Sequence, residues 1–182
     1  MEPRDIRDRD VVDEDQEQQM DERVVDITRV AKVVKGGRHF HFRVVSVVGD
    51  NNGQVGIGIG KARAVSDAIA KATDRAHRDI HPVAMEGTTI PHPVTGHCGG
   101  AVVFLRPAAP GTGVIAAGGV RAVLEAAGIR DVLTKSQGSP TLVNVVQATI
   151  DALDQLRRVE DVARQRGKPE AHVMPFWRRR KA

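Results

Sequence analysis

Residues 54–60 read Gln54-Val55-Gly56-Ile57-Gly58-Ile59-Gly60, and this alternation restricts the fold more than any other stretch of the chain. It has the period of a strand, with Val55, Ile57 and Ile59 on one face and glycines on the other. One face packs and the other is bare backbone. Glycine weakens a strand unless something must come close, so the bare face predicts either an adjoining backbone or a bound phosphate.

The flanking sequence builds a sheet around that strand. Val24, Val25, Ile27, Val30, Val33 and Val34 suggest a preceding strand from Arg23, interrupted near Arg29–Lys32, and Lys35-Gly36-Gly37-Arg38 breaks it with glycines that permit a tight reversal. In residues 40–48, Phe40, Phe42, Val44 and Val48 share one face while His39, His41 and Arg43 point the other way. Gly49-Asp50-Asn51-Asn52-Gly53 closes a second hairpin. Val65, Ile69, Ala72, Ala76 and Ile80 then repeat at helical spacing, with Lys61, Arg63, Lys71, Arg75 and Arg78 making much of the remaining surface basic.

The predicted first unit is therefore α+β, three antiparallel strands and a helix, ending near His81-Pro82. A second unit starts near Thr88. It shows a strand at 101–105, a loop at 107–113, a helix at 119–127 stopped by Gly128 and a short strand at 129–133. Leu142, Val146, Ile150 and Leu153 mark a final amphipathic helix, with Ser139-Pro140 expected to supply its cap and first-turn proline. After Val159 the chain is read as charged and irregular. The expected organisation is a disordered acidic extension at 1–22, domains at 23–86 and 87–159, and a basic tail at 160–182.

The net charge of +4 hides an asymmetry. Residues 1–22 hold ten Asp and Glu against Arg4, Arg7 and Arg9, whereas residues 23–182 carry 24 Lys and Arg against 13 Asp and Glu. A basic body raises the local concentration of polyanions and releases counterions on meeting phosphates, so nucleic acid is the leading partner class. With no long apolar run and no basic amphipathic helix, no membrane partner is expected. Tyrosine is absent and aromatics are scarce, which favours phosphate and shape contacts over base stacking. The single Cys98 excludes an internal disulfide framework and agrees with a reducing, cytoplasmic compartment.

Two long segments, RVAKVVKGGRHFHFRVVSVVGDNNGQVGIGIGKARAV at 29–65 and PAAPGTGVIAAGGVRAVLEAAGIRDVLTKSQGS at 107–139, followed by NVVQATIDAL at 144–153, resemble one family closely. It is the bacterial small-subunit ribosomal protein five, and the resemblance runs with gaps from about Arg23 to Leu156. It implies an N-terminal domain similar to double-stranded-RNA-binding domains and a small C-terminal β-α-β-α domain. It also implies a structural constituent of the small ribosomal subunit that binds small-subunit rRNA, supports assembly and decoding accuracy, and has no enzymatic activity or cofactor. The implied neighbours are ribosomal proteins four and eight, with the mRNA entry path nearby, and the first hairpin reaches rRNA close to the spectinomycin site.

The residues expected to carry RNA contact follow from charge and from that resemblance together. In the hairpin they are Arg29, Val30, Ala31, Lys32, Lys35, Gly36, Gly37 and Arg38, a thin glycine tip presenting cations to phosphates. On the sheet they are Arg43, Gly56, Gly58, Lys61 and Arg63, and at the C-terminus Arg178, Arg179 and Arg180, which follow Trp177. A Walker phosphate loop fails at Val55 and Ala62, where Gly and Ser or Thr would be required. Pro110-Gly111-Thr112-Gly113 could present amides to an anion, as in small-molecule kinases of similar fold, but Glu125 and Asp131 read as isolated and a tight turn is favoured. No metal is expected, since His97 and Cys98 are adjacent rather than spaced as ligands.

Overall fold

In the computed structural model, which describes residues 20–174, the glycine strand lies directly against a helix. Strands β1 (Asp21–Val34), β2 (Gly37–Gly49) and β3 (Gln54–Ala62) are followed by α1 (Val65–Arg78) and by a short β4 (Ile80–Pro82). The four strands form one antiparallel sheet in the order β1-β2-β3-β4. The predicted sheet thus gains a fourth, three-residue strand that pairs Gln54 to Gly56 with Ile80 to Pro82.

Two periodicities meet at the β3–α1 contact. Glycines two apart in a strand repeat every ~6.8 Å, and residues four apart in a helix every ~6 Å, so a row of small residues on each can be superposed. A Cβ added at Gly56 would stand 2.2 Å from the Ala76 carbonyl oxygen, one at Gly58 1.9 Å from that of Ala72, and one at Gly60 2.0 Å from that of Ala68. Ala68, Ala72 and Ala76 are fully buried there. The bare face is therefore filled by a neighbouring backbone. This corrects the expectation that Gly56 and Gly58 touch RNA, because both are buried beneath α1.

The second sheet runs β5-β6-β8-β7, built from β5 (Val94–Cys98), β6 (Ala101–Pro107), β7 (Val114–Ile115) and β8 (Val132–Gly138). Helix α2 (Gly118–Ala126) connects the parallel pair β7 and β8, and α3 (Leu142–Asp154) packs on β5 and β6. The same device recurs here, for a Cβ at Gly96 of β5 would stand 2.0 Å from the Ala148 carbonyl oxygen of α3. Residues beyond Val159 are not irregular as expected: α4 (Val159–Arg166) and α5 (Glu170–Val173) follow. Asp21 and Glu22, expected to be disordered, begin β1. Ser139 and Pro140 do not cap α3, whose N-cap is Thr141 with no side-chain cap bond. Instead, the Thr141 amide donates to the Ser139 hydroxyl at 3.3 Å.

The two sheets share a core. Val45, Val47 and Val55 of the first sheet pack in one cluster with Val103, Leu105, Val123, Leu124 and Val146 of the second half. Val44, on the opposite face of β2, packs under α1 with Ala62, Ala68 and Ala72. Strand β2 is thus buried on both faces from Val44 to Val48, where no residue exceeds 1% exposure.

The β2–β3 turn is fastened to the end of α2. In the turn, the Asp50 carboxylate accepts from the amides of Asn52 and Gln54 at 2.8 and 2.9 Å. Helix α2 ends in a Schellman motif, with Gly128 in left-handed conformation and its amide and that of Ile129 donating to the carbonyls of Glu125 and Leu124. The next carbonyls, Ala126 and Ala127, accept from the amides of Asn51 and Gly53, each at 3.0 Å. No orphan acceptor remains at that buried helix end. Partly exposed links add little beside it: Arg23 to Glu125 at 2.6 Å and His81 to Asp154 at 3.2 Å.

The β3–α1 contact makes Gly58 the least replaceable position of the sheet. Gly58→Ala is expected to lose roughly 3 kcal/mol or more, since a methyl group has no room without displacing α1. Gly36→Ala, where an added Cβ meets nothing within 4 Å, should stay within about 0.5 kcal/mol of the parent. Urea denaturation midpoints of the two variants check this, and equal midpoints would contradict it.

Candidate nucleic-acid interface

Strand β3 ends at Ala62, opposite Phe42 of β2. Strands β1 and β2 remain paired beyond that point, from Val30 with His41 to Val34 with Gly37. Residues 30–41 therefore form a two-stranded arm outside the sheet, closed by the two-residue turn Lys35-Gly36. Gly37 has φ +144, and added Cβ atoms at Gly36 and Gly37 would meet nothing within 4 Å, so the tip is thin.

Pairing assigns the side chains to two faces, because directly opposed residues share a face. One face holds Arg29 with Phe42, Ala31 with Phe40, and Val33 with Arg38. There the Arg29 guanidinium lies 3.9 Å from the centroid of the Phe40 ring, a cation–π contact. The other face holds Thr28 with Arg43, Val30 with His41, and Lys32 with His39. Lys61 of β3 stands opposite Arg43 and joins that second face. His39, His41 and Arg43 are thus on the side opposite Phe40 and Phe42, as the alternation predicted.

Ala31, Lys32, Lys35, Arg38, Lys61 and Arg63 are exposed, and Val30 and Arg43 are partly buried. Among the described residues, none of these cations forms an ion pair with a carboxylate. The arm thus brings together the hairpin residues singled out from sequence, with Arg43 and Lys61 at its root and Arg63 just beyond β3. Arg178, Arg179 and Arg180 lie outside the described residues.

The glycine loop of the second half is occupied by the chain's own anion. The amides of Gly111 and Gly113 donate to one oxygen of the Asp131 carboxylate at 2.9 and 3.0 Å, and the Thr88 hydroxyl donates to the other at 2.7 Å. The Thr88 carbonyl in turn accepts from the amides of Arg130 and Asp131. Asp131 is 5% exposed, so the loop amides that could cradle a phosphate are already satisfied inside the fold. The turn reading is the one the geometry supports. Among the described residues, no three His, Cys, Asp or Glu side chains are grouped to hold a metal ion. Cys98 donates its thiol to Gln147, and the His97 amide donates to Asp151.

Residues 20–84 match the family described as ribosomal protein S5, N-terminal domain, and residues 96–166 match ribosomal protein S5, C-terminal domain. The chain belongs to the ribosomal protein S5 family. A similar relative is small ribosomal subunit protein uS5 of Nocardia farcinica (strain IFM 10152), 56% identical over 154 residues that cover 85% of this chain and 71% of the relative. Membership makes the chain a ribosomal protein of the small subunit, in a family of structural, non-enzymatic proteins. In the ribosomal protein S5 fold seen here the cationic arm belongs to the N-terminal match, and Asp131 with the 111–113 loop to the C-terminal one, while Thr88 lies between the two.

Sequence reasoning missed Asp131 as a structural ligand. Its partners at 111 and 113 are remote along the chain, and nothing local to Arg130-Asp131-Val132 marks the carboxylate as buried. Its carboxyl is held below the usual carboxylate range, first by the Thr88 hydroxyl and then by the Gly113 amide. A depressed folded-state pKa adds stability that is complete above the ordinary carboxylate pKa of about 3.9 and is lost as pH falls through the lower folded value. Asp131→Asn should therefore melt below the parent at pH 7, and the difference should shrink as pH drops under about 4. Thermal melts across that range check it, and a gap that did not change with pH would show that the charge of Asp131 is not what holds the loop.

Proposed function

We propose that the arm is the RNA-binding element, gripping small-subunit rRNA by neutralising phosphates and reading helix shape rather than base sequence. The observation that carries this is the projection of residues 30–41 beyond β3, with Lys32, Lys35 and Arg38 exposed and without ion pairs among the described residues. A two-stranded ribbon with a thin glycine tip can lie along the wide, shallow minor groove and phosphates of an RNA helix, and the buried stem of β2 gives it a rigid base. Arg63 would add contacts where β3 meets α1, and Arg178, Arg179 and Arg180 would add charge from the C-terminal segment. The finer role proposed is support of rRNA near the mRNA entry path, with an effect on decoding accuracy, beside ribosomal proteins four and eight.

Replacing Lys32, Lys35 and Arg38 together by Ala should leave the fold within about 0.5 kcal/mol per position, since all three are exposed. Binding to rRNA fragments should weaken, and the slope of log affinity against log salt should fall by roughly 0.7 to 0.9 for each phosphate no longer neutralised. An unchanged slope would remove the arm from the interface. In a strain carrying only this protein, Lys32→Glu should alter spectinomycin sensitivity while subunits still assemble. Parental sensitivity with normal incorporation would refute the position near the spectinomycin site.

A further inference from the structure

We infer that the root of the arm is a seat for a single RNA backbone phosphate, held between Arg43 and Lys61. The inference rests on the proposal that the arm binds RNA, and adds where the strongest single contact lies. Arg43 and Lys61 are directly opposed partners in the β2–β3 pairing, so their side chains leave the same face side by side. Directly opposed side chains have Cβ atoms about 4.5–5.5 Å apart, and like charges so placed destabilise a sheet. Neither cation is relieved internally. Among the described residues, no carboxylate forms an ion pair with either.

A second cost sits in the same place. The Nε–H of Arg43 is buried and has no hydrogen-bond partner, an arrangement that a folded chain retains at a penalty. Asp26, which lies on this face one row nearer the body, is engaged by the Thr28 hydroxyl and leaves Arg43 alone. One added anion with several acceptor oxygens would relieve the repulsion between the two cations, while the buried Nε–H stays out of its reach. It would accept from the planar guanidinium fork and lie between two positive charges that otherwise repel.

The anion is identified as part of a polymer by what continues from the seat. His41, then His39 and Lys32, extend along the same face toward the tip, giving a track for successive phosphates. The opposite face differs, since its Arg29 is stacked on Phe40.

The test uses the full chain and a duplex fragment of small-subunit rRNA. Lys61→Gln should bind about tenfold more weakly at 0.1 M salt, with a salt slope shallower by about 0.7 to 0.9, while the free protein melts at the parental temperature or higher because repulsion is relieved. A residue with a merely structural role would lower the melting temperature instead. Arg43→Lys should weaken binding yet keep the slope, because charge is retained and the fork is removed. Arg43→Gln combined with Lys61→Gln should cost less than the two single changes together, as expected when both serve one phosphate. Parental affinity in both single variants, or full additivity, would overturn the shared seat. If the Lys32, Lys35 and Arg38 variant weakens binding and the root variants do not, RNA binding by the arm stands and the seat is refuted. If none weakens it, both fail. Inorganic phosphate at matched ionic strength should not displace the duplex, and displacement would mean a free-anion site instead.

Discussion

Everything in this fold depends on how closely α1 approaches the glycine face of β3. The three glycines bring a helix backbone onto a sheet with no side-chain layer between them, and Ala68, Ala72 and Ala76 present nothing larger than a methyl group from the other side. The close approach leaves Val44 to Val48 of β2 enclosed between α1 and the second half. A strand held on both faces cannot pivot easily. The arm that continues from it is therefore a cantilever with a clamped end, and it projects charge without needing to fold on meeting its partner.

Charge is partitioned by the same architecture. Carboxylates near the body are turned to internal work: Asp131 ties the 111–113 loop, Asp50 closes the β2–β3 turn and Glu125 meets Arg23. The arm residues have no such partners among the described residues, and the chain keeps the repulsion of Arg43 against Lys61. Interactions that would stabilise the free protein are absent on the surface proposed to meet RNA. The stability forgone there is offset by the apolar cluster joining the two sheets.

Much of this was legible in the sequence, and the failures have physical causes. The period-two alternation located the close approach at Gly56 and Gly58, but could not say whether backbone or phosphate filled it, because both require the same absence of a side chain. The helical pattern chose Val65, Ile69 and Ile80 with Ala72 and Ala76, whereas the buried row includes Ala68 and excludes the larger residues, since that interface selects for smallness rather than hydrophobicity. Strand β5 was hidden by Pro91, Pro93, Gly96 and Gly99, which read as punctuation, and β4 and β7 are too short to show a period. Helix α4 is polar and fully buries only Ala163, so its apolar face was too narrow to detect. The turn and the charge of the arm were legible because both fall within one short segment, but the break expected near Arg29–Lys32 is absent: β1 runs unbroken to Val34, since backbone pairing with β2 carries it through the polar positions.

The attachment of the β2–β3 turn to α2 also sets an order of events during synthesis. Helix α1 follows β3 directly, so the glycine face can be covered as soon as Arg78 is free to fold. The opposite face, with Val45, Val47 and Val55, waits for α2 and the carbonyls of Ala126 and Ala127. At the usual elongation rate of about 5–20 residues per second, the interval between Pro82, which completes the first sheet, and Ala126 is roughly 2 to 9 s. For that time the nascent chain carries a finished sheet with one greasy side uncovered. Its window of greatest exposure to misassociation is therefore built into the order in which the two halves are translated.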